Sequence, residues 1–178
     1  MKCCGLCAAG RELAKFEFTG DVMQIVLEPI GYVRGGRPTR EDDDWEAVEA
    51  EIVLDPARFK PDALLGLDTF SHVEVLFHFD QFDPSRIVTG ARHPRGREDW
   101  PKVGIFAQRG SGRPNLLGVT ICQVLCVAGH SIWLRGLDAI DGTPVLDLKP
   151  YLSGFAPRGE IREPGWAIEI MADYWTCS

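Results

Sequence analysis

Three stretches of this sequence hold residue types that could do chemistry. The first is Arg109 followed by Gly110-Ser-Gly-Arg-Pro-Asn-Leu-Leu-Gly118. Its glycines permit close backbone approach to a ligand. Arg109 and Arg113 supply charge, and Asn115 supplies both a donor and an acceptor. The same residues equally suit a turn in which Asn115 bonds only to nearby backbone. The second stretch runs from Gly136 to Tyr151 and holds three carboxylates. Asp138 follows a strand-like run directly, so it could present its carboxylate at the mouth of a barrel. A ribose hydroxyl or the amino group of an amino acid would suit it there; capping of local amides is the alternative. The third, Arg92-His-Pro-Arg-Gly-Arg97, could carry phosphates on a charged loop or stay a solvated loop. His93 could act as a general base, but a lone loop histidine is more often neither base nor ligand.

Other candidates point to less. His72 and His78 flank an apolar run, where histidines satisfied by hydrogen bonds are commoner than metal ligands. Cys4 and Cys7 form a CxxC pair with no second pair to complete a zinc site, so no metal is expected. Cys122 and Cys126 lie in an apolar run and read as buried small hydrophobes. The chain has no GxGxxG, GxxxxGK[ST] or GxSxG motif, which leaves a parallel nucleotide-binding fold without support.

The elements that would position these residues read as short strands. Ile25 to Val33, Ala47 to Leu54, His72 to Phe79, Val103 to Ala107, Val119 to Val127, Ser131 to Leu134, Pro144 to Leu148 and Trp166 to Met171 are rich in Val, Ile and aromatics, and Gly and Pro divide them. Val73, Val75, Phe77 and Phe79 would share one face. Gly129-His130 suggests a hairpin. One short helix is expected over Pro56 to Leu65, with Asp55 as its cap; Thr120 to Val127 also admits a helical reading. The whole is a mainly β chain with few short helices, an antiparallel barrel or sandwich. Long loops at Arg34 to Asp44 and Phe82 to Lys102 are the places to look for function.

The 178 residues fit one domain, and 45% hydrophobic content fills a core. The folded domain is expected to begin near Met23 and run to residue 178, with residues 1–22 a loosely attached extension. No apolar run is long enough for a membrane helix, and the start lacks a signal-peptide pattern, so the cytoplasm is the default. A net charge of −7 argues against nonspecific nucleic-acid binding by the whole surface. The charge is uneven, however. Acids crowd Glu41 to Asp55, and Arg86 to Arg113 carries seven bases against Glu98 and Asp99. A local basic patch can meet phosphates on an acidic protein.

Six segments occur in an order that resembles one family. They are Pro29-Ile-Gly-Tyr-Val-Arg34, Phe70-Ser-His-Val-Glu-Val-Leu-Phe-His-Phe-Asp80, His93-Pro-Arg-Gly96, Gly104-Ile-Phe-Ala-Gln-Arg109, Arg113-Pro-Asn115 and Leu137 to Tyr151. The order resembles the TsaA/TrmO (YaeB-like) tRNA methyltransferases over roughly Ile25 to Tyr151. The resemblance implies a small single-sheet β-barrel, S-adenosylmethionine as methyl donor, and a homodimer with the cofactor near the subunit interface. It also implies methylation of the exocyclic nitrogen of threonylcarbamoyl-adenosine beside the tRNA anticodon. The cofactor contacts it implies are Asp80, Gln81, Arg109, Val119, Gly136, Leu137 and Asp138, with the loop near Asp43 to Trp45 closing over them. Arg113 and Asn115 are the residues expected to handle the acceptor, Arg113 on a carboxylate or phosphate and Asn115 orienting the nitrogen. A basic rim of Arg92, Arg95, Arg97 and Arg113 is expected beside the pocket. The sequence departs from the family pattern at Gln108, usually Thr, and at Leu116-Leu117, usually Pro-Ile; some members also carry a further C-terminal domain. A small-molecule methyltransferase and a noncatalytic cofactor-binding module are the competing readings.

Overall fold

The computed structural model describes residues 23–176. The expected extension 1–22, with Cys3, Cys4 and Cys7, lies outside the described residues, as does Cys177. Six antiparallel strands close into a barrel. They are β1 (Gly31–Gly35), β2 (Glu49–Leu54), β3 (His72–His78), β6 (Leu117–Ala128), β7 (Ser131–Arg135) and β8 (Pro144–Pro150). Their order around the barrel is β1-β2-β7-β6-β3-β8. A separate two-stranded ribbon pairs β4 (Ala91–Arg92) with β5 (Val103–Gly104). Among the described residues the one α-helix is α1 (Gly165–Ile170).

Alternation explains the barrel. Val73, Val75 and Phe77 on β3 are buried, with their neighbours His72, Glu74, Leu76 and His78 on the outer side. Ile52 on β2, Ile132 and Leu134 on β7, Cys122 on β6 and Val145 on β8 meet them inside. Gly118 is part of this packing: a Cβ there would lie 2.3 Å from the Phe77 ring. Only glycine lets that ring lie against the start of β6. The interior is therefore filled by side chains, as expected of a small barrel, and a ligand must bind at an end or on the outside.

Several expectations need correction. Ile25 to Ile30 forms no strand, although the Ile30 N–H meets the Val145 carbonyl at 2.7 Å; β1 starts only at Gly31. Val103 to Ala107 gives two strand residues and then a 3-10 turn. Trp166 to Met171 is helix, not strand. Its half-buried residues Trp166, Ala167 and Ile170 recur at helical spacing, a pattern that a short apolar run conceals. The helix expected over Pro56 to Leu65 shrinks to a 3-10 turn at Pro61–Leu64, although the Asp55 carboxylate does accept from the Ala57 amide at 2.9 Å. Thr120 to Val127 is strand. Cys126 is exposed and only Cys122 is buried. A bulge between Val124 and Cys126 shifts the phase of β6 by one residue. Val127 then packs against the core in the place Cys126 would have taken.

The two ends of the barrel are built differently. At one end, Gly129-His130 turns β6 into β7, and residues 55–71 cover the opening between β2 and β3. At the other lie the connections 36–48, 79–116 and 136–143. The C-terminal segment returns to this second end, where the Asp44 and Trp45 amides donate to the carbonyls of Asp173 (3.0 Å) and Tyr174 (2.9 Å).

Candidate functional site

The loop-rich end, where all six barrel strands start or stop, gathers the residues of interest through β7, β6 and β3. β7 leads into Gly136, Leu137 and Asp138; Val119 and Thr120 lie near the start of β6; β3 leads into Asp80 and Gln81. Gly136 has φ +80°, a left-handed turn that glycine accepts without a Cβ penalty. The turn drops Leu137 into the fully buried core and leaves Asp138 half-buried at the mouth.

Asp138 is held at both carboxylate oxygens. The Thr120 hydroxyl donates to Oδ1, and the Tyr174 hydroxyl donates to Oδ2. Burial of Tyr174, and then the negative charge of Asp138 beside it, push ionisation of the phenol well above its ordinary range. Tyr174 therefore stays protonated and remains a donor. The same burial pushes up the Cys122 thiol, with Asp138 adding to the effect, so that thiol is inert. The other two carboxylates of the segment serve local structure. Asp141 accepts from the Gly35 amide at 2.9 Å, and Asp147 takes its neighbour's amide and Lys149.

Arg109 belongs to the same mouth. Its Nη2 donates to the Val119 carbonyl at 2.6 Å, bringing two expected cofactor contacts together. Arg109 and Arg95 both exert their charge on Tyr174. Asp80 and Gln81 lie at the same end, just past β3, where the Arg40 guanidinium donates to the Gln81 carbonyl. Next to Gly136, a shallow open groove of about 300 Å³ on the outer face of the barrel is lined by Trp175, Ile121, Arg135 and Glu46.

Arg113 and Asn115 stand further out. Arg113 Nη1 donates to the Gln108 carbonyl at 3.2 Å, and Asn115 is exposed. Gln108 is buried, and its amide nitrogen bonds the carbonyls of Arg92 (3.2 Å) and Val103 (2.9 Å), stapling β4 to β5. Leu116 has φ +50°, and its N–H donates to the Arg113 carbonyl at 3.0 Å. Proline has neither that φ nor that N–H, so the loop here follows a path that a proline at this position would forbid.

The expected basic rim is partly neutralised. Arg95 makes a two-pronged pair with Asp43, at 2.7 and 3.0 Å, and lies 3.8 Å from Asp42. Arg97 pairs with Asp99 and stacks 4.0 Å over Trp100. Arg92 is held by Gln108. His93 Nδ1 donates to the Trp100 carbonyl at 2.7 Å, a structural bond. The loop at Asp43 to Trp45 is itself pinned: Arg37 donates to the Asp43 and Asp44 carbonyls and stacks 4.6 Å over the buried Trp45 ring.

Two residues at the mouth escaped the sequence reading. Thr120 carried a faint signal, a polar residue on the inward phase of β6 between Gly118 and Cys122, which calls for a hydrogen-bond partner inside. Tyr174 carried none, because 36 positions separate it from Asp138.

Comparison with known proteins agrees with this architecture. Residues 35–156 match the model of the tRNA-methyltransferase O N-terminal domain. A protein of Methanothermobacter thermautotrophicus named "Probable S-adenosyl-L-methionine-binding protein" is 38% identical over 72% of this chain and 91% of its own. The human protein named tRNA (adenine(37)-N6)-methyltransferase is 38% identical over 79% of this chain, which spans 33% of that protein. The crystal structure of TrmO from Pseudomonas aeruginosa superposes with a TM-score of 0.61 at 31% identity, covering 79% of this chain and 62% of that one. The chain belongs to the tRNA-methyltransferase O (TrmO) N-terminal domain family.

Proposed function

We propose that the loop-rich end of the barrel binds S-adenosylmethionine and directs its methyl group to the exocyclic nitrogen of an adenosine in tRNA. The acceptor in this reading is threonylcarbamoyl-adenosine beside the anticodon. The observation that carries it is the meeting of Arg109, Val119 and the doubly held Asp138 at one mouth, in a chain of this family. Relatives named as S-adenosylmethionine-binding proteins and as tRNA (adenine(37)-N6)-methyltransferases support the choice of donor and acceptor.

The donor set fits the cofactor. S-adenosylmethionine carries an ammonium, a carboxylate, a ribose diol and a purine. Asp138 and Asp80 suit the ammonium or the diol, Arg109 the carboxylate, and Gln81 either edge of a polar group. Val119 gives the mouth an apolar side, whereas Leu137 lies in the core beneath it. When bound, the cofactor supplies a methyl carbon on a sulfonium, already reactive toward a nitrogen. The protein's task is then largely to hold two partners in line, which can supply much of the rate. Asp138 is suited to that task because both its oxygens are fixed before a ligand arrives. Arg113 would take the threonyl carboxylate in a charge-assisted pair, and Asn115 would orient the carbamoyl group; as the nitrogen takes the methyl, the C–S bond of the donor would break to leave a neutral thioether and the nitrogen's proton would pass to solvent water. We infer a homodimer with this mouth near the interface; light scattering at micromolar concentration would show twice the monomer mass.

The test is methyl transfer from labelled S-adenosylmethionine to bulk tRNA from cells lacking such an enzyme, followed by nucleoside mass analysis. A gain of one methyl on threonylcarbamoyl-adenosine is expected; bound cofactor with unlabelled tRNA would defeat the tRNA reading. A small-molecule acceptor is the second reading, and the pairing of Arg95 and Arg97 with carboxylates favours it. It predicts the same pocket with a closed acceptor side and no salt-dependent RNA binding.

A further inference from the structure

We infer that Tyr174 is a positioning residue of the cofactor site and acts through Asp138. The inference rests on the reading of Asp138 as a cofactor contact. A carboxylate held only by Thr120 could still turn about its terminal torsion, which is broad for aspartate. The second hydroxyl, from Tyr174, fixes the plane of the group from the opposite oxygen.

Tyr174 is itself held in place. Its carbonyl accepts from the Trp45 amide at 2.9 Å, and the carbonyl before it accepts from Asp44 at 3.0 Å. Its ring makes an edge contact with Trp175 at 4.9 Å, and the Trp175 ring lies against the Gly136 turn that carries Asp138. Upstream, the Glu169 carboxylate accepts from the Trp100 indole at 2.8 Å. The segment from α1 to Thr176 thus straps the first loop, the ribbon loop and the β7 exit together. It lies wholly beyond residues 35–156, the span that matches the family domain. In this chain a segment outside that span completes the site.

A double-mutant cycle in the full-length protein tests this, with S-adenosylmethionine affinity read by calorimetry below the unfolding midpoint of each variant. Tyr174→Phe keeps the ring and removes the hydroxyl. It is expected to weaken affinity about tenfold, the scale of one hydrogen bond to a charged group. Asp138→Asn should weaken it as much or more, and adding Tyr174→Phe to Asp138→Asn should change it less than about twofold, the signature of one residue acting through the other. Thr120→Val is a parallel variant, expected to show the same coupling to Asp138→Asn. Wild-type affinity in folded Tyr174→Phe, or losses that simply add, would overturn the role of Tyr174. Unchanged affinity in Asp138→Asn would instead overturn the reading of the mouth, and the inference with it.

Discussion

One end of the barrel is sealed by apolar packing, and the other is held open by polar bonds. At the sealed end Leu64 is buried, Phe59 and Leu67 pack on the core, and the hairpin His130 ring bonds the Phe59 carbonyl at 3.0 Å. At the open end Trp45, Trp100, Ile105 and Leu116 are buried too, but what joins the loops to one another and to the mouth are ion pairs, arginine–carbonyl bonds and the two hydroxyls on Asp138. Apolar burial is non-directional and mainly stabilises. Charge-assisted hydrogen bonds are directional and fix the orientation of groups that meet a ligand. The same barrel thus separates stability from recognition along its axis.

That separation predicts opposite responses to mutation. Leu64→Ala should cost about 3 kcal/mol in chemical denaturation, the usual scale for a truncated core leucine, and leave cofactor affinity of the folded protein unchanged. Loss of affinity there would mean that the two ends communicate. Arg109→Ala should do the reverse: affinity falls about tenfold or more through a lost charged contact, while unfolding free energy moves by less than about 0.5 kcal/mol. Between these lies Asp43→Asn, which releases Arg95 from its pair. If Arg95 faces RNA, the slope of log affinity against log salt should steepen by about 1; an unchanged slope assigns the pair to structure alone. The smallest effect is chemical. Alkylation of the native protein near pH 8, mapped by peptide, should label Cys126 and spare Cys122, whose thiol is pushed up by burial and by Asp138. Labelling of both would mean that the mouth opens to solvent more widely than the packing allows.

The barrel was legible where strands alternate. His72 to His78 declared its inward face through Val73, Val75 and Phe77, and Gly129-His130 declared its turn. It was illegible where short apolar runs lack a clear period, as at Trp166 to Met171, or where a bulge changes the phase, as at Cys126. The site was legible as a set of segments in order. How the segments meet was not, because the bonds that assemble them join distant positions: Arg95 to Asp43, Trp100 to Glu169 and Asp138 to Tyr174. The basic rim shows the same limit. Four arginines in sequence read as one patch, and only the fold revealed which of them carboxylates had already claimed.

The closure between β1 and β8 has a consequence for how the chain folds. The seam is short: Gly31 faces Val145 and Tyr32 faces Pro144, flanked by the bonds from Ile30 and Val33. It joins the first barrel strand to the last, so no ribosome-bound chain can make it before β8 has emerged. Until then the nascent sheet has two bare edges, each able to pair with another chain. Non-local closure of this kind also slows folding. The seam is thus the step at which a half-made sheet most needs shielding, and the step after which it has no edge left to offer.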